Sequence, residues 1–219
     1  MKKIILLTVA MVLVASVAFG ATIVGSRHDL SSSGVANGQV CVFCHTPHNA
    51  NTSAGPLWSH STSQATFSVY TSGTIQGTIS QPSGTSKACM GCHDGTVGVG
   101  VISNGRSKGS YAATGHDSAA DYAAGAKMSG GALLGTDLRD DHPVSITYLP
   151  GAGAGQDAGL RANTGATVVN GSNTLQLYGT ASPYTVECAS CHSVHTNTNV
   201  PFLRVSNTNS ALCTTCHLK

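Results

Sequence analysis

The sequence predicts a single domain that is mostly coil, with short helices at four Cys-x-x-Cys-His motifs and one or two short β-hairpins. The motifs are spread along the chain after residue 40. Charged residues make up 9% of the 219 residues and aromatic residues 5%, while Gly, Ser, Thr, Asn and Ala are abundant. Few segments have the sustained apolar periodicity of a long helix or strand. A chain of this composition would build a poor apolar core by itself.

The first 20 residues have the pattern of a secretory signal peptide. A basic start, Met1-Lys2-Lys3, precedes an apolar run from Ile4 to Ala18 and small residues that suit a cleavage site. The alternative is an uncleaved anchor helix, which the short length and the processing site disfavour. We therefore expect residues 1–20 to be removed and residues 21–219 to form one exported domain without a membrane span.

Between the motifs, five segments carry local structural signals. Residues 67–79 combine Phe, Val, Tyr, Thr and Ile with small polar residues and predict a short strand. Residues 94–97 predict a turn that ends a helix, residues 118–128 an Ala-rich turn of helix, and residues 149–155 a Gly-rich loop. The clearest hairpin signal lies at residues 167–178, where two strand-like segments flank Asn-Gly-Ser-Asn.

The motifs have the spacing required for covalent attachment of c-type haem. In a helical segment, residues i, i+3 and i+4 share one face. Two thiols can then add to the vinyl groups along one haem edge, and the imidazole can bind the iron. The four sets are Cys41, Cys44 and His45; Cys89, Cys92 and His93; Cys188, Cys191 and His192; and Cys213, Cys216 and His217. The sequence therefore predicts four haem c groups.

Zinc binding and disulfide bonding are the alternative uses of paired cysteines. With 10 His in the chain, chance would place a His after the second Cys of all four motifs about four times in a million. All eight cysteines lie within the motifs, so none is left over for a structural disulfide. Because a porphyrin can bury more apolar surface than any side chain, we expect the haems to form the core and the haem-free chain to be largely unfolded.

The charge balance argues against a nucleic-acid partner. Removing Lys2 and Lys3 from the 11 basic residues leaves nine, which equals the number of acidic residues. The haem propionates would make the loaded protein acidic. The basic residues are also scattered, whereas nucleic-acid binding requires them to be clustered.

The second axial ligand of each iron decides what the haems can do. After removal of residues 1–20 only Met90 and Met128 remain, and Met90 lies inside a motif, so methionine is nearly excluded as a ligand. Six histidines lie outside the motifs: His28, His48, His60, His116, His142 and His195. Six candidates for four positions predict bis-His ligation, which gives six-coordinate iron of lower potential, suited to electron transfer.

The positions of these six histidines in the sequence rank them as candidate distal ligands. His48 and His195 each follow a motif His by three residues, so they start on the same side of that haem and can serve only a neighbouring one. His142 follows two aspartates whose carboxylates could hold its outer nitrogen. His28 is the first imidazole of the mature chain. If copies of the chain assemble end to end, His28 is the candidate for a ligand that binds a haem of the neighbouring copy.

We therefore expect the distal ligands to be His28, His48, His142 and His195. His60 and His116 lie in polar loops with fewer neighbours to orient their side chains, so they rank below these four as candidate ligands. For any one of these histidines the alternative is an ordinary solvent-exposed side chain.

Six segments, kept in order along nearly all of the mature chain, match a known pattern. They are His28-Asp29-Leu30, Cys41 to Ala50, Pro56-Leu57-Trp58, Cys92-His93-Asp94-Gly95-Thr96, Asp141-His142-Pro143-Val144-Ser145, and the block from Cys188 to His217. They resemble the OmcE-type tetrahaem cytochromes, which are surface-exposed cytochromes of metal-reducing bacteria. The resemblance implies extracellular filaments in which a histidine of one subunit can complete a haem of the next.

Three functions are compatible with these features. The first is a homopolymeric filament that passes electrons between other redox proteins and extracellular acceptors. The second is a monomeric periplasmic tetrahaem shuttle with the same haem chemistry. The third is a multihaem reductase with one open iron, which the surplus of histidines disfavours. The resemblance favours the first, with the protein located outside the cell or on its surface.

Overall fold

Helices and strands occupy a small part of the computed structural model, which describes residues 23–31, 38–101, 122–123 and 127–218. Most of these residues lie in turns, bends and coil, as the sequence predicts. The expected signal peptide, His116 and most of the stretch 118–128 lie outside the described residues. Within the described ranges, no helix is long and apolar enough to cross a membrane.

Each of the three α-helices in these ranges ends in a Cys-x-x-Cys-His motif. They are α1 (Gly84–His93), α2 (Cys188–Cys191) and α3 (Ala211–Cys216). α1 ends at the predicted turn, where Gly95 adopts a φ of +72° that a residue without a Cβ atom reaches freely. α2 begins after Glu187, whose backbone N–H donates to Ser190 Oγ at 2.9 Å. The remaining motif, at residues 41–45, forms a hydrogen-bonded turn.

The strands of the described residues are short and form four small sheets. They are β1 (Ser68–Val69), β2 (Tyr122–Ala123), β3 (Lys127–Met128), β4 (Asp137–Leu138), β5 (Ile146–Tyr148), β6 (Asn163–Thr164), β7 (Thr167–Asn170), β8 (Asn173–Gln176) and β9 (Tyr184–Val186). β1 pairs in parallel with β4, while β2 with β3 and β5 with β9 are antiparallel pairs. β6, β7 and β8 form a three-stranded antiparallel sheet.

The predicted hairpin is confirmed as β7 and β8. Asn170 pairs with Asn173, which leaves Gly171 and Ser172 as a two-residue loop. Gly171 has a φ of +61°, as the tight turns of such hairpins require. The register places Val168 opposite Leu175, and both side chains are buried.

Two local predictions were wrong in type or extent. Only Ser68–Val69 of the segment 67–79 is a strand, because its partner β4 is just two residues long. The described part of 118–128 is not helical: β2 pairs with β3. This pairing lets Met128 pack into an apolar cluster with Phe43, which outweighs the helix propensity of a few alanines.

Apolar contacts in the described residues are divided among three small clusters. Their buried members are Leu30, Phe43, Val99 and Met128; Phe67, Met90 and Leu138; and Tyr148, Val168 and Leu177. The first cluster packs against Cys44 and Cys92, the second contains Met90 of the second motif, and the third packs against Cys216. The apolar packing is therefore gathered around the motifs.

One close backbone approach holds α1 in place. Gly91 is buried, and a Cβ atom added there would lie 2.6 Å from the Ser61 carbonyl oxygen. Such a contact can be relieved only by moving the helix away from the segment that contains Ser61.

We predict that Gly91→Ala destabilises the folded protein by up to about 2 kcal/mol, measured by chemical denaturation. Overpacking against a rigid backbone costs about 1–3 kcal/mol, against about 1 kcal/mol that alanine gains over glycine by helix propensity. Gly73→Ala is the control, because a Cβ there meets nothing within 4 Å. A Gly91→Ala protein as stable as the Gly73→Ala protein would contradict the prediction.

Candidate haem-binding motifs

All four motifs contain the same helical turn. The His N–H donates to the carbonyl of the first Cys at 2.9 Å in the first motif, 3.0 Å in the third and 2.9 Å in the fourth. The second motif forms the last turn of α1. Each turn therefore brings its two cysteines and its histidine to one face.

The eight cysteines are free thiols, and neighbouring motifs bring them close together. Burial, and then the nearby Cys92, raise the pKa of Cys44 to about 12, so the first motif lies near the second. Burial and the nearby Cys216 raise the pKa of Cys191 to about 11, which joins the third motif to the fourth. Among the described residues, no three His, Cys, Asp or Glu side chains are arranged as a metal-binding group.

The second and third motifs bring the Cys89 and Cys188 thiols close together. Their interaction raises the pKa of Cys89 well above its usual value and lowers the pKa of Cys188. Motifs that are consecutive in sequence are therefore also neighbours in space.

Backbone carbonyl groups orient two of the motif imidazoles. His93 Nδ1 lies 2.7 Å from the Ala132 oxygen, and His192 Nδ1 lies 3.0 Å from the Pro201 oxygen. Because a carbonyl can only accept, Nδ1 must carry the proton in both rings. The lone pair is then on Nε2, which is the state required for a metal ligand.

Three of the motif histidines each face a histidine from outside the motifs. The ring centres are 6.1 Å apart for His28 and His93, 5.9 Å for His45 and His195, and 6.5 Å for His142 and His217. A metal–imidazole bond is about 2 Å long, and the ring centre lies about 1 Å beyond the nitrogen. Two rings on opposite sides of one metal therefore have centres about 6 Å apart, so all three pairs fit a shared iron.

His28 is held within its own chain, although the sequence suggested a role between subunits. Its ring also packs on Phe202, with centres 4.6 Å apart. Burial, followed by the neighbouring His93 and His192, lowers the pKa of His28 to about 4, so the ring is neutral at pH 7. Its Nδ1 is buried without a hydrogen-bond partner, which is costly unless the ring finds another ligand or partner.

His195 and His142 each lie beside a motif histidine, and one detail of the surroundings of His142 differs from the prediction. His195 faces His45 of the first motif, which is a different motif from the one it follows. Burial and then the neighbouring His195 lower the pKa of His45, which keeps that ring neutral as well. His142 Nδ1 lies 3.1 Å from the Pro143 oxygen, so a backbone carbonyl, and not the preceding aspartates, holds its outer nitrogen.

His60 is a structural residue, and the expectation that it lies in a loosely oriented polar loop was wrong. Only 1% of its surface is exposed. Its Nδ1 lies 2.7 Å from the Ser61 oxygen, and its Nε2 lies 2.9 Å from the Val99 oxygen and 3.1 Å from the Gly98 oxygen. Both ring nitrogens of His60 therefore lie against backbone carbonyl oxygens, so neither is open to a metal.

The remaining predicted histidines are His192, in the third motif, and His48. Both side chains are exposed. Among the described residues, no other imidazole makes a ring contact with His192 of the kind that the other three motif histidines make. His48 and His192 are therefore the two predicted haem ligands outside the three pairs described above.

Sequence reasoning missed several supporting groups. The carbonyls of Ala132 and Pro201 have no sequence signal, because any residue could supply them. The buried Glu187 carboxylate could have been noticed, since it is the only Glu in the chain and directly precedes the third motif.

The C-terminal part of the chain matches a known family. Residues 182–219 match the model of the doubled CXXCH motif, and they contain the third and fourth motifs with α2 and α3. The match indicates covalently bound haem c and supports haem-based electron transfer by a multihaem c-type cytochrome. A search of curated proteins gave no match.

Proposed function

We propose that the chain carries four covalently bound haems c, each with two imidazole ligands, and transfers electrons along them. The observation that carries this proposal is the set of three imidazole pairs with centres 5.9 to 6.5 Å apart. Each pair joins a motif histidine to one of the histidines that the sequence selected as distal ligands. Such pairing of remote imidazoles at a metal-bridging distance has no evident role in a protein without metal.

The residues that would hold the haems fall into two sets. The attachment cysteines are Cys41, Cys44, Cys89, Cys92, Cys188, Cys191, Cys213 and Cys216, and the proximal ligands are His45, His93, His192 and His217. When bound, haem c supplies an iron that cycles between two oxidation states by one electron. Because two imidazoles would leave no open coordination position, the chain acts as an electron carrier and not as an enzyme.

The polypeptide holds the imidazoles in fixed orientations and arranges the motifs in sequence order. Carbonyl groups of Ala132, Pro201 and Pro143 fix three imidazoles, which reduces the conformational freedom lost on ligation. The thiols of consecutive motifs lie near one another, which supports an arrangement of the attachment points in sequence order. Electrons would then move stepwise from one motif to the next.

We predict that intact-mass spectrometry of the mature protein shows the polypeptide plus four haems. Each motif brings two thiols and an imidazole to one face, so each should be modified during export. A mass with fewer than four haem additions would contradict the proposal.

We also predict that, in the polymerised protein, His142→Ala converts one of the four haems to a high-spin form that binds carbon monoxide when reduced. The ring centres of His142 and His217 are 6.5 Å apart. Without the His142 imidazole, the iron bound by His217 would keep an open coordination position. His60→Gln is the control, since His60 is bonded only to backbone groups and a nearby thiol and should leave four low-spin haems. Four low-spin haems in His142→Ala would exclude His142 as a ligand.

We further propose that the subunit polymerises into an extracellular filament through its fourth ligand pair. His192 is the motif histidine, and His48 the predicted distal ligand, that do not belong to the three pairs described above. Both side chains are exposed, so His48 of one copy can reach His192 of another. The resemblance to OmcE-type cytochromes supports this arrangement over a monomeric shuttle or a reductase with one open iron.

His48→Ala should therefore abolish filaments, seen by electron microscopy, and leave one haem high-spin. The isolated wild-type subunit should show the same high-spin haem, which disappears on polymerisation. The matched control is His116→Ala, which should polymerise normally. Normal filaments with four low-spin haems in His48→Ala would exclude the bridge, and loss of filaments in His116→Ala alone would reassign it to His116.

A further inference from the structure

Glu187 is a buried acid at the junction of two motifs. It is the only Glu of the chain and is 2% exposed. Its three closest side-chain partners are hydroxyl groups: Ser86 Oγ lies 2.6 Å from Oε2, Ser145 Oγ 2.8 Å from Oε2, and Thr185 Oγ1 2.8 Å from Oε1. A fourth hydroxyl, Ser83 Oγ, donates to Oε1 more weakly at 3.4 Å.

The direction of these hydrogen bonds is fixed by the backbone. Ser86 Oγ accepts the Cys188 N–H at 2.9 Å, and Ser145 Oγ accepts the Ser83 N–H at 3.0 Å. The single proton of each hydroxyl is therefore free to point at Glu187. Donors that converge on a carboxylate stabilise its charged form, and among the described residues no Lys, Arg or His pairs with it.

The fold maintains this arrangement at the cost of backbone strain. Ser145 has a φ of +53°, in the left-handed region that residues with a Cβ atom rarely adopt. Its N–H donates to the Val186 oxygen at 2.7 Å, and its carbonyl accepts the Ser80 N–H at 3.1 Å. Ser145 is 2% exposed, so its conformation serves the interior and not a surface turn.

The carboxylate is close to two haem-attachment points. Glu187 directly precedes Cys188, and Ser86 lies one turn before Cys89 in α1. The Cys89 and Cys188 thiols are themselves close enough to shift each other's pKa. A charge at Glu187 therefore lies beside the attachment points of the second and third motifs, in a site that water does not screen.

We propose that the Glu187 carboxylate stays ionised and lowers the reduction potentials of the haems attached at the second and third motifs. This inference rests on the proposed function, because it requires haems at those motifs. A buried negative charge stabilises the ferric state, which carries one more positive charge than the ferrous state. Glu187 would thus act on the haems through its charge, without binding an iron.

The test is a redox titration of haem-loaded Glu187→Gln, which keeps the side-chain size and removes the charge. We expect the potentials of two of the four haems to shift to more positive values, and Glu187→Asp to restore them at least in part. The matched control is Asp137→Asn, because Asp137 is exposed and paired with Arg139 and solvent screens its charge. A Glu187→Gln protein with four haems and wild-type potentials would overturn the inference.

A second measurement uses the wild-type protein and does not depend on the variant folding. Because the chain has a single Glu, labelling with ¹³C-glutamate marks one carboxyl group in infrared spectra. We expect isotope-sensitive carboxylate stretches in the oxidised and reduced protein alike. A protonated carboxyl stretch in both states would overturn the inference. A protein without covalent haem would instead overturn the proposed function, and this inference with it.

Discussion

The contact between two imidazoles from distant parts of the chain is the interaction on which the rest of the architecture depends. Apolar packing alone is weak here, since the described clusters have three or four buried members each. The imidazole pairs tie the N-terminal segment to α1, the first motif to the segment after the third, and the segment before β5 to α3. A shared iron would turn each of these contacts into a bond far stronger than the packing around it.

Polar groups provide the other junctions between motifs. Hydrogen bonds of the hydroxyl groups around Glu187 link α1 to α2. Cysteine thiols of consecutive motifs also lie near one another. The abundance of Ser and Thr in this chain is therefore not simply a property of its loops. Several of these side chains, such as Ser86 and Thr215, are completely buried and hydrogen-bonded, as buried polar groups must be.

Sequence could predict the features that depend on local spacing. The helical turn at each motif follows from positions i, i+3 and i+4, and the β7–β8 hairpin follows from Asn170 and Gly171. It could not predict which remote residue meets which motif. His28 and His60 illustrate this: both precede polar stretches, yet one packs on His93 and Phe202 while the other is enclosed by backbone carbonyls. The difference arises from tertiary contacts, which leave no periodic signal in a chain of mostly coil.

The meeting of His45 with His195 has a consequence for the order of folding. The first motif is synthesised early, but its facing imidazole lies near the C-terminal end of the chain. Closing so long a loop carries an entropic cost that grows only slowly with its length, yet it cannot be closed before nearly the whole chain is present. Completion of the first site would therefore report that the third motif has arrived, and a chain truncated before His195 would retain an unfinished first site.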